Sequence, residues 1–78
     1  NAPMSDVLTL IASVLQVDAA DLNEDDGIDT VAAWDSLKTI LLASMIEINY
    51  SITLDNHDIE KLITVRGVRE VLARHGSE

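Results

Sequence analysis

Ser36 stands between Asp35 and Leu37 at the head of a long apolar run, and its hydroxyl is the group in this chain with the clearest chemical use. One use is nucleophilic. A serine oxygen attacks when a base takes its proton, and His57 or His75, with Asp35 as orienter, would be the partners a hydrolase recruits. The sequence lacks a Gly-x-Ser-x-Gly elbow, and 78 residues leave little with which to build an oxyanion site or exclude water. His57, next to Asp58, reads as an exposed residue at the start of a short helix. The other use is as an attachment point: a helix N-terminus offers unpaired backbone N–H groups and partial positive charge, which suit a phosphate ester on that hydroxyl. The acidity around Ser36 opposes a phosphate, so another enzyme with its own metal would have to install it. Serine after an Asp N-cap is by itself ordinary helix chemistry, and the rest of the chain has to supply the distinction.

Asp21, Asn23 and Asp25 alternate like the opening of a calcium-binding EF-hand loop. Such a loop needs Gly at its sixth position and Glu at its twelfth, where this chain has Asp26 and Ala32, so no metal site is expected.

Five Lys and Arg against 14 Asp and Glu give a formal charge of −9 at pH 7, which argues against nucleic acid or an anionic membrane and favours basic protein surfaces as partners. Residues 1–37 contain no Lys or Arg, whereas Lys61, Arg66, Arg69 and Arg74 crowd the C-terminal part. The negative field should therefore peak at the first loop and the head of the central helix, and added salt or divalent ions should raise thermal stability by screening it. With no cysteine, disulfides and thiolate zinc sites are excluded, and any thiol chemistry needs a thiol brought from outside. No apolar stretch approaches about 18 residues and no signal-peptide pattern is present. A cytoplasmic monomer without membrane insertion is expected.

The elements that must hold Ser36 follow from periodicity. Apolar residues make up 47% but aromatics only 3%, namely Trp34 and Tyr50, so the core must be built of Leu, Ile, Val and Ala, a mix suited to packed helices. Val7, Ile11, Val14 and Leu15, widened by Leu8 and Ala12, predict a first helix over residues 5–17 with Ser5 as N-cap and Asp6 favourable behind it. Residues 18–34 lose the period and form a long acidic loop that Leu22, Ile28 and Val31 can pin to the core. Residues 35–49 predict a central helix that is apolar on more than one face. One stripe is Leu37, Ile40, Leu41, Met45 and Ile48; the other is Leu42, Ala43, Ile46 and Tyr50. If the second faces the core, Leu37, Leu41, Ser44 and Ile48 recur outward at heptad-like spacing.

Asp55 and Asp58 form a weak capping box for a short helix over 55–62, with Leu54, Ile59 and Leu62 turned inward. Thr64 caps a last helix over 65–75, whose Val68, Val71 and Leu72 face inward and which Gly76 ends. Arg74 and His75 complement the negative end of its dipole, while Gly67 in its first turn costs up to about 1 kcal/mol against Ala and points to close packing there. The expected fold is all-α, a small bundle of three longer helices and one short one, in a single domain over 4–76 with 1–3 an appended remnant and 77–78 a tail.

With these elements in order, Asp35-Ser36-Leu37 at the head of a central helix in an acidic chain of this length resembles the acyl carrier protein family of phosphopantetheine-binding carrier domains. The likeness spans nearly the whole chain: Leu15-x-Val17, Leu22, Ile46-Glu47 with Tyr50 where an aromatic is usual, and Asp58-x-Glu60-Lys61 followed by Thr64-Val65. The tripeptide alone is common; the ordered set is specific. The resemblance implies a right-handed helical bundle and a carrier rather than an enzyme. It implies that Ser36 receives 4'-phosphopantetheine from coenzyme A through a magnesium-dependent phosphopantetheinyl transferase. By the same resemblance Asp35 helps present serine and metal in that complex, and Leu37 is an apolar transferase contact. Further partners would be acyl- or aminoacyl-loading and condensing enzymes with basic or apolar docking surfaces.

The chain departs from many carriers of fatty acid synthesis in having Ala33-Trp34 where a Gly precedes the Asp-Ser pair. Lys38 and Leu41 stand where acids are often found along the central helix, and Ile48 replaces another. Partner contact is accordingly expected through Trp34, Lys38, Ile40, Leu41, Ser44, Ile48 and Ile59, with apolar contacts prominent. Trp-Asp-Ser-Leu also resembles carriers of polyketide, nonribosomal peptide and aminoacyl transfer. The cargo therefore stays open between acyl groups of fatty acid or polyketide synthesis and aminoacyl or peptidyl groups, as in a D-alanyl carrier. From a different class, an unmodified acidic helical adaptor would bind through Leu37, Leu41 and Ile48 with the serine dispensable.

Overall fold

Among the described residues four α-helices follow one another: α1 over Pro3–Leu15, α2 over Ser36–Tyr50, α3 over Asn56–Glu60 and α4 over Val65–Arg74. A single turn of 3-10 helix, Ala19–Asp21, interrupts the first loop. The computed structural model describes residues 3–77, with side chains from residue 7 onward. Among the described residues there is no strand, only an isolated bridge between Gly27 and Thr64. The all-α bundle of three longer helices and a short one is the architecture that the periodicity predicts. No helix among the described residues is long and apolar enough to cross a membrane.

Helix α1 buries Val7, Ile11, Ala12, Val14 and Leu15, the predicted stripe. It begins at Pro3, so Ser5 lies inside the first turn rather than at the N-cap; the side chains of Ser5 and Asp6 lie outside the described residues, as do residues 1, 2 and 78 of the expected terminal segments. The helix stops at Leu15, two residues earlier than the apolar pattern suggests. Gln16 adopts a left-handed φ of 60° and the Val17 N–H donates back to the Ala12 carbonyl at 3.0 Å, a helix stop formed without glycine.

Ile11, Leu42, Ile46, Leu62, Val65, Val68 and Leu72 are fully enclosed at the centre, and each such side chain contributes roughly 1.5–3 kcal/mol by leaving water. The far end of α4 closes as sequence predicts. Gly76 takes φ 74°, its N–H donates to the Ala73 carbonyl at 3.0 Å, and the Ser77 N–H donates to Leu72 at 2.8 Å, a Schellman stop.

The long loop is held by backbone contacts with the head of α4. The Ile28 N–H donates to the Ile63 carbonyl, the Val65 N–H to Asp26 and the Arg66 N–H to Glu24, each at 2.9 Å. Gly27 permits this approach, since a Cβ there would stand 1.9 Å from the Ile63 carbonyl oxygen. Gly67 answers to the same constraint on the other side, where a Cβ would meet the Lys61 carbonyl oxygen at 1.9 Å. Leu22 is buried and Ile28 and Val31 pack against the core, pinning the loop as their types suggest. Its acids also find partners: Arg66 Nη2 donates to Asp25 at 2.7 Å and Arg69 Nε to Glu24 at 2.7 Å. The C-terminal bases therefore neutralise part of the loop rather than forming a separate positive end.

Candidate attachment site and docking face

The loop ends at Asp35, in extended backbone with φ −125°, where its Oδ1 accepts the Lys38 N–H at 2.9 Å as the N-cap of α2. The Thr39 N–H and the Thr39 hydroxyl both donate to the Asp35 carbonyl at 2.9 Å. Behind them, Trp34 Nε1–H donates to Thr39 Oγ1 at 3.1 Å. This chain of indole, hydroxyl and carbonyl, buried at its tryptophan end, ties the end of the loop to the first turn of α2. Ser36 is left on the outside: it is the first residue of the helix, it is exposed, and its hydroxyl makes no hydrogen bond among the described residues. The Ser36 and Leu37 N–H groups precede the first intrahelical bond and have no partner among the described residues. No acid occupies the first turn. An open hydroxyl, two free N–H groups and the positive end of a helix fit a phosphate ester.

Trp34, expected on the docking face, belongs to the core. It is only 1% exposed and its N–H is spent on Thr39, so a partner cannot reach it. The expected contacts of α2 other than Lys38 face solvent. The helix buries Thr39, Leu42, Ala43 and Ile46 and turns outward Leu37 (72% exposed), Ile40 (60%), Leu41 (46%) and Ile48 (73%), with Ser44 among them. Lys38 and Ile59 are half-buried. Two residues of this region carry roles that sequence reading missed. Thr39 bonds the carbonyl four residues back, a habit of helical Thr that could have signalled it. Glu47 accepts the Leu54 N–H at 2.8 Å and so anchors the chain after α2; no local pattern announces that contact.

Neither histidine hydrogen-bonds the Ser36 hydroxyl. On α3, the Asp58 N–H donates to Asp55 Oδ1 at 2.8 Å and the Asp55 N–H to Asp58 Oδ2 at 3.3 Å, a complete capping box. Asp58 is buried, and Arg74 Nε donates to its Oδ1 at 2.9 Å while His75 Nε2 lies 2.9 Å from its Oδ2. Burial opposes the charge, but the bonds from His75, the Asp55 N–H and Arg74 outweigh it and hold the carboxyl at about 2 against an ordinary 3.8. The ionised carboxylate requires the proton on His75 Nε2, which commits that ring to Asp58. His57 is exposed on α3, as its neighbours suggest.

Asp26, where a calcium loop needs glycine, turns its carboxylate to the Asn23 N–H and the Thr30 hydroxyl, which hold it below the ordinary carboxylate range. Among the described residues no group of His, Asp and Glu is arranged to hold a metal ion. A groove of about 450 Å³ between α1 and α2 is lined by Thr9, Leu10, Ser13, Met45, Asn49 and Tyr50, toward the end of α2 remote from Ser36.

Residues 5–72 match the family model described as the phosphopantetheine attachment site, and the chain belongs to that family. A domain of this kind is the site of covalent 4'-phosphopantetheine attachment, serves as a carrier, and engages a phosphopantetheinyl transferase and biosynthetic enzymes. No individual curated protein matches the chain.

Proposed function

We propose that Ser36 bears the phosphopantetheine arm and that the chain is an acyl carrier protein, not an enzyme, holding acyl intermediates for fatty acid, polyketide or related biosynthesis. The carrying observation is the position of Ser36, exposed and unbonded as the first residue of α2 beside free N–H groups. When attached, the arm supplies the thiol that a cysteine-free chain lacks, and cargo is held on it as a thioester. The chain's own residues do the rest. Asp35 fixes the turn that presents the serine and stands beside it for a transferase-bound metal, while Leu37 offers that transferase an apolar contact. Lys38, Ile40, Leu41, Ser44, Ile48 and Ile59 make the face on which loading and condensing enzymes dock. The protein works as a monomer in the cytoplasm.

The acid-poor outer face of α2 supports a second reading, an aminoacyl or peptidyl carrier. Intact mass after incubation with a broad-specificity phosphopantetheinyl transferase, coenzyme A and magnesium tests the site: one phosphopantetheine should be added, and none to Ser36→Ala. Addition that survives Ser36→Ala overturns the assignment. Exchange onto the loaded arm from adenylating enzymes, rather than from acyl donors, would favour the second reading.

A further inference from the structure

Four of the five basic side chains are committed to acids within the fold: Lys61 to Glu70 at 4.0 Å, Arg66 to Asp25 at 2.7 Å, Arg69 to Glu24 at 2.7 Å and Arg74 to Asp58 at 2.9 Å. Lys38 has no ion pair among the described residues, and it stands on α2 next to Leu37 and one turn from Leu41. The other charged residue of α2, Glu47, is bonded to the Leu54 N–H. From Leu37 to Ile48 the helix therefore shows solvent a row of large apolar side chains and, half-buried beside them, one cation without an ion pair among the described residues, on a molecule of formal charge −9.

Apolar side chains grouped in this way mark a protein interface, and the charge among them selects the partner. A basic patch laid on this helix would bring a like charge to Lys38, whereas a carboxylate would pair with it. The spacing of Leu37, Leu41, Ser44 and Ile48 alternates four and three residues, the seam that receives an amphipathic helix. We propose that α2 docks a partner helix that is apolar at its centre and carries a carboxylate opposite Lys38, the reverse of the acid-to-base pairing that the net charge suggests. The carrier reading gives this docking its purpose, since it brings the partner to Ser36. Its chemistry stands on the face alone. A second copy of the chain, with the same net negative charge, is the competing occupant.

The test is titration of the isotope-labelled chain with two synthetic amphipathic helices that share one Leu face, flanked by Glu in the first and by Lys in the second. About 0.5 M salt screens the overall field to a few ångströms. The Glu-flanked helix should shift the amides from Leu37 to Ile48 and bind about threefold tighter, the size of an exposed ion pair. Lys38→Glu should reverse that preference, and Leu41→Glu should abolish both complexes with the melting temperature unchanged. Preference for the Lys-flanked helix, equal affinities that Lys38→Glu leaves equal, no binding by either, or a dimer built on these residues would overturn the proposal. Mass addition at Ser36 is read on the same sample. A Glu preference without addition removes the carrier reading alone, and normal addition with a Lys preference removes the docking proposal alone.

Discussion

Two helices of this chain begin in the same way and end up with opposite surroundings. Asp35 and Asp55 both sit in extended backbone, and each accepts the N–H of the residue three positions on, at 2.9 and 2.8 Å. At Asp55 that residue is Asp58, which closes the box and is then enclosed by Arg74 and His75. At Asp35 it is Lys38, whose side chain meets no acid among the described residues, and the two residues between, Ser36 and Leu37, are exposed. The α3 start is complete within the fold; the α2 start leaves donors, a hydroxyl and apolar surface for another molecule. An N-cap is thus no sign of a site in itself. What marks the site is the set of groups around it that the fold leaves unused.

Exchanging damage between the two starts gives the largest contrast. Ser36→Ala should abolish arm attachment by mass and leave unfolding free energy within about 0.5 kcal/mol of the parent. Asp58→Ala empties a buried site and leaves the Asp55 N–H, His75 and the half-exposed Arg74 without their acceptor, which should cost about 2–3 kcal/mol in denaturant unfolding, while the protein that stays folded still accepts the arm. The same carboxylate sets an acid dependence. Held at about 2 against 3.8 in the open chain, Asp58 contributes stability that is present above about pH 4 and lost as pH falls toward 2, so melts of the parent and of Asp58→Asn should converge across that window.

Inside the α2 start, Thr39→Val leaves the Trp34 N–H buried without an acceptor and should cost about 1–3 kcal/mol, read by urea unfolding followed on that single tryptophan; Thr39→Ser should restore most of it. Asp35→Ala and Asp55→Ala should each cost about 1 kcal/mol as lost caps, but only the first should also slow arm attachment. The smallest effect is that of salt. Screening should raise the melting temperature slightly, because repulsion among unpaired acids outweighs the exposed pairs Arg66–Asp25 and Arg74–Asp55, and a flat curve would contradict that balance.

Local spacing was enough to place four helices, to put Val7, Ile11, Leu42, Ile46, Val68 and Leu72 in the core, and to set Asp35 and Thr64 as caps, because each depends on neighbours within a turn or two. It also put Leu37, Leu41 and Ile48 outward once Leu42 and Ile46 were assigned inward. Contacts between distant segments had no such signature. Trp34 could be read as a surface aromatic until the loop folded it under α2 onto Thr39, and Gly27 looked like one more loop residue until the Ile63 carbonyl came against it. Asp58 could be read as a cap from sequence, but its burial depends on Arg74 and His75 arriving from 16 and 17 residues away. The helices are specified by periodicities repeated along one stretch. The enclosed ion cluster, the clipped loop and the inward tryptophan each join two stretches, and only the packing of the whole bundle decides which surfaces meet and which, like the face beside Ser36, are left open.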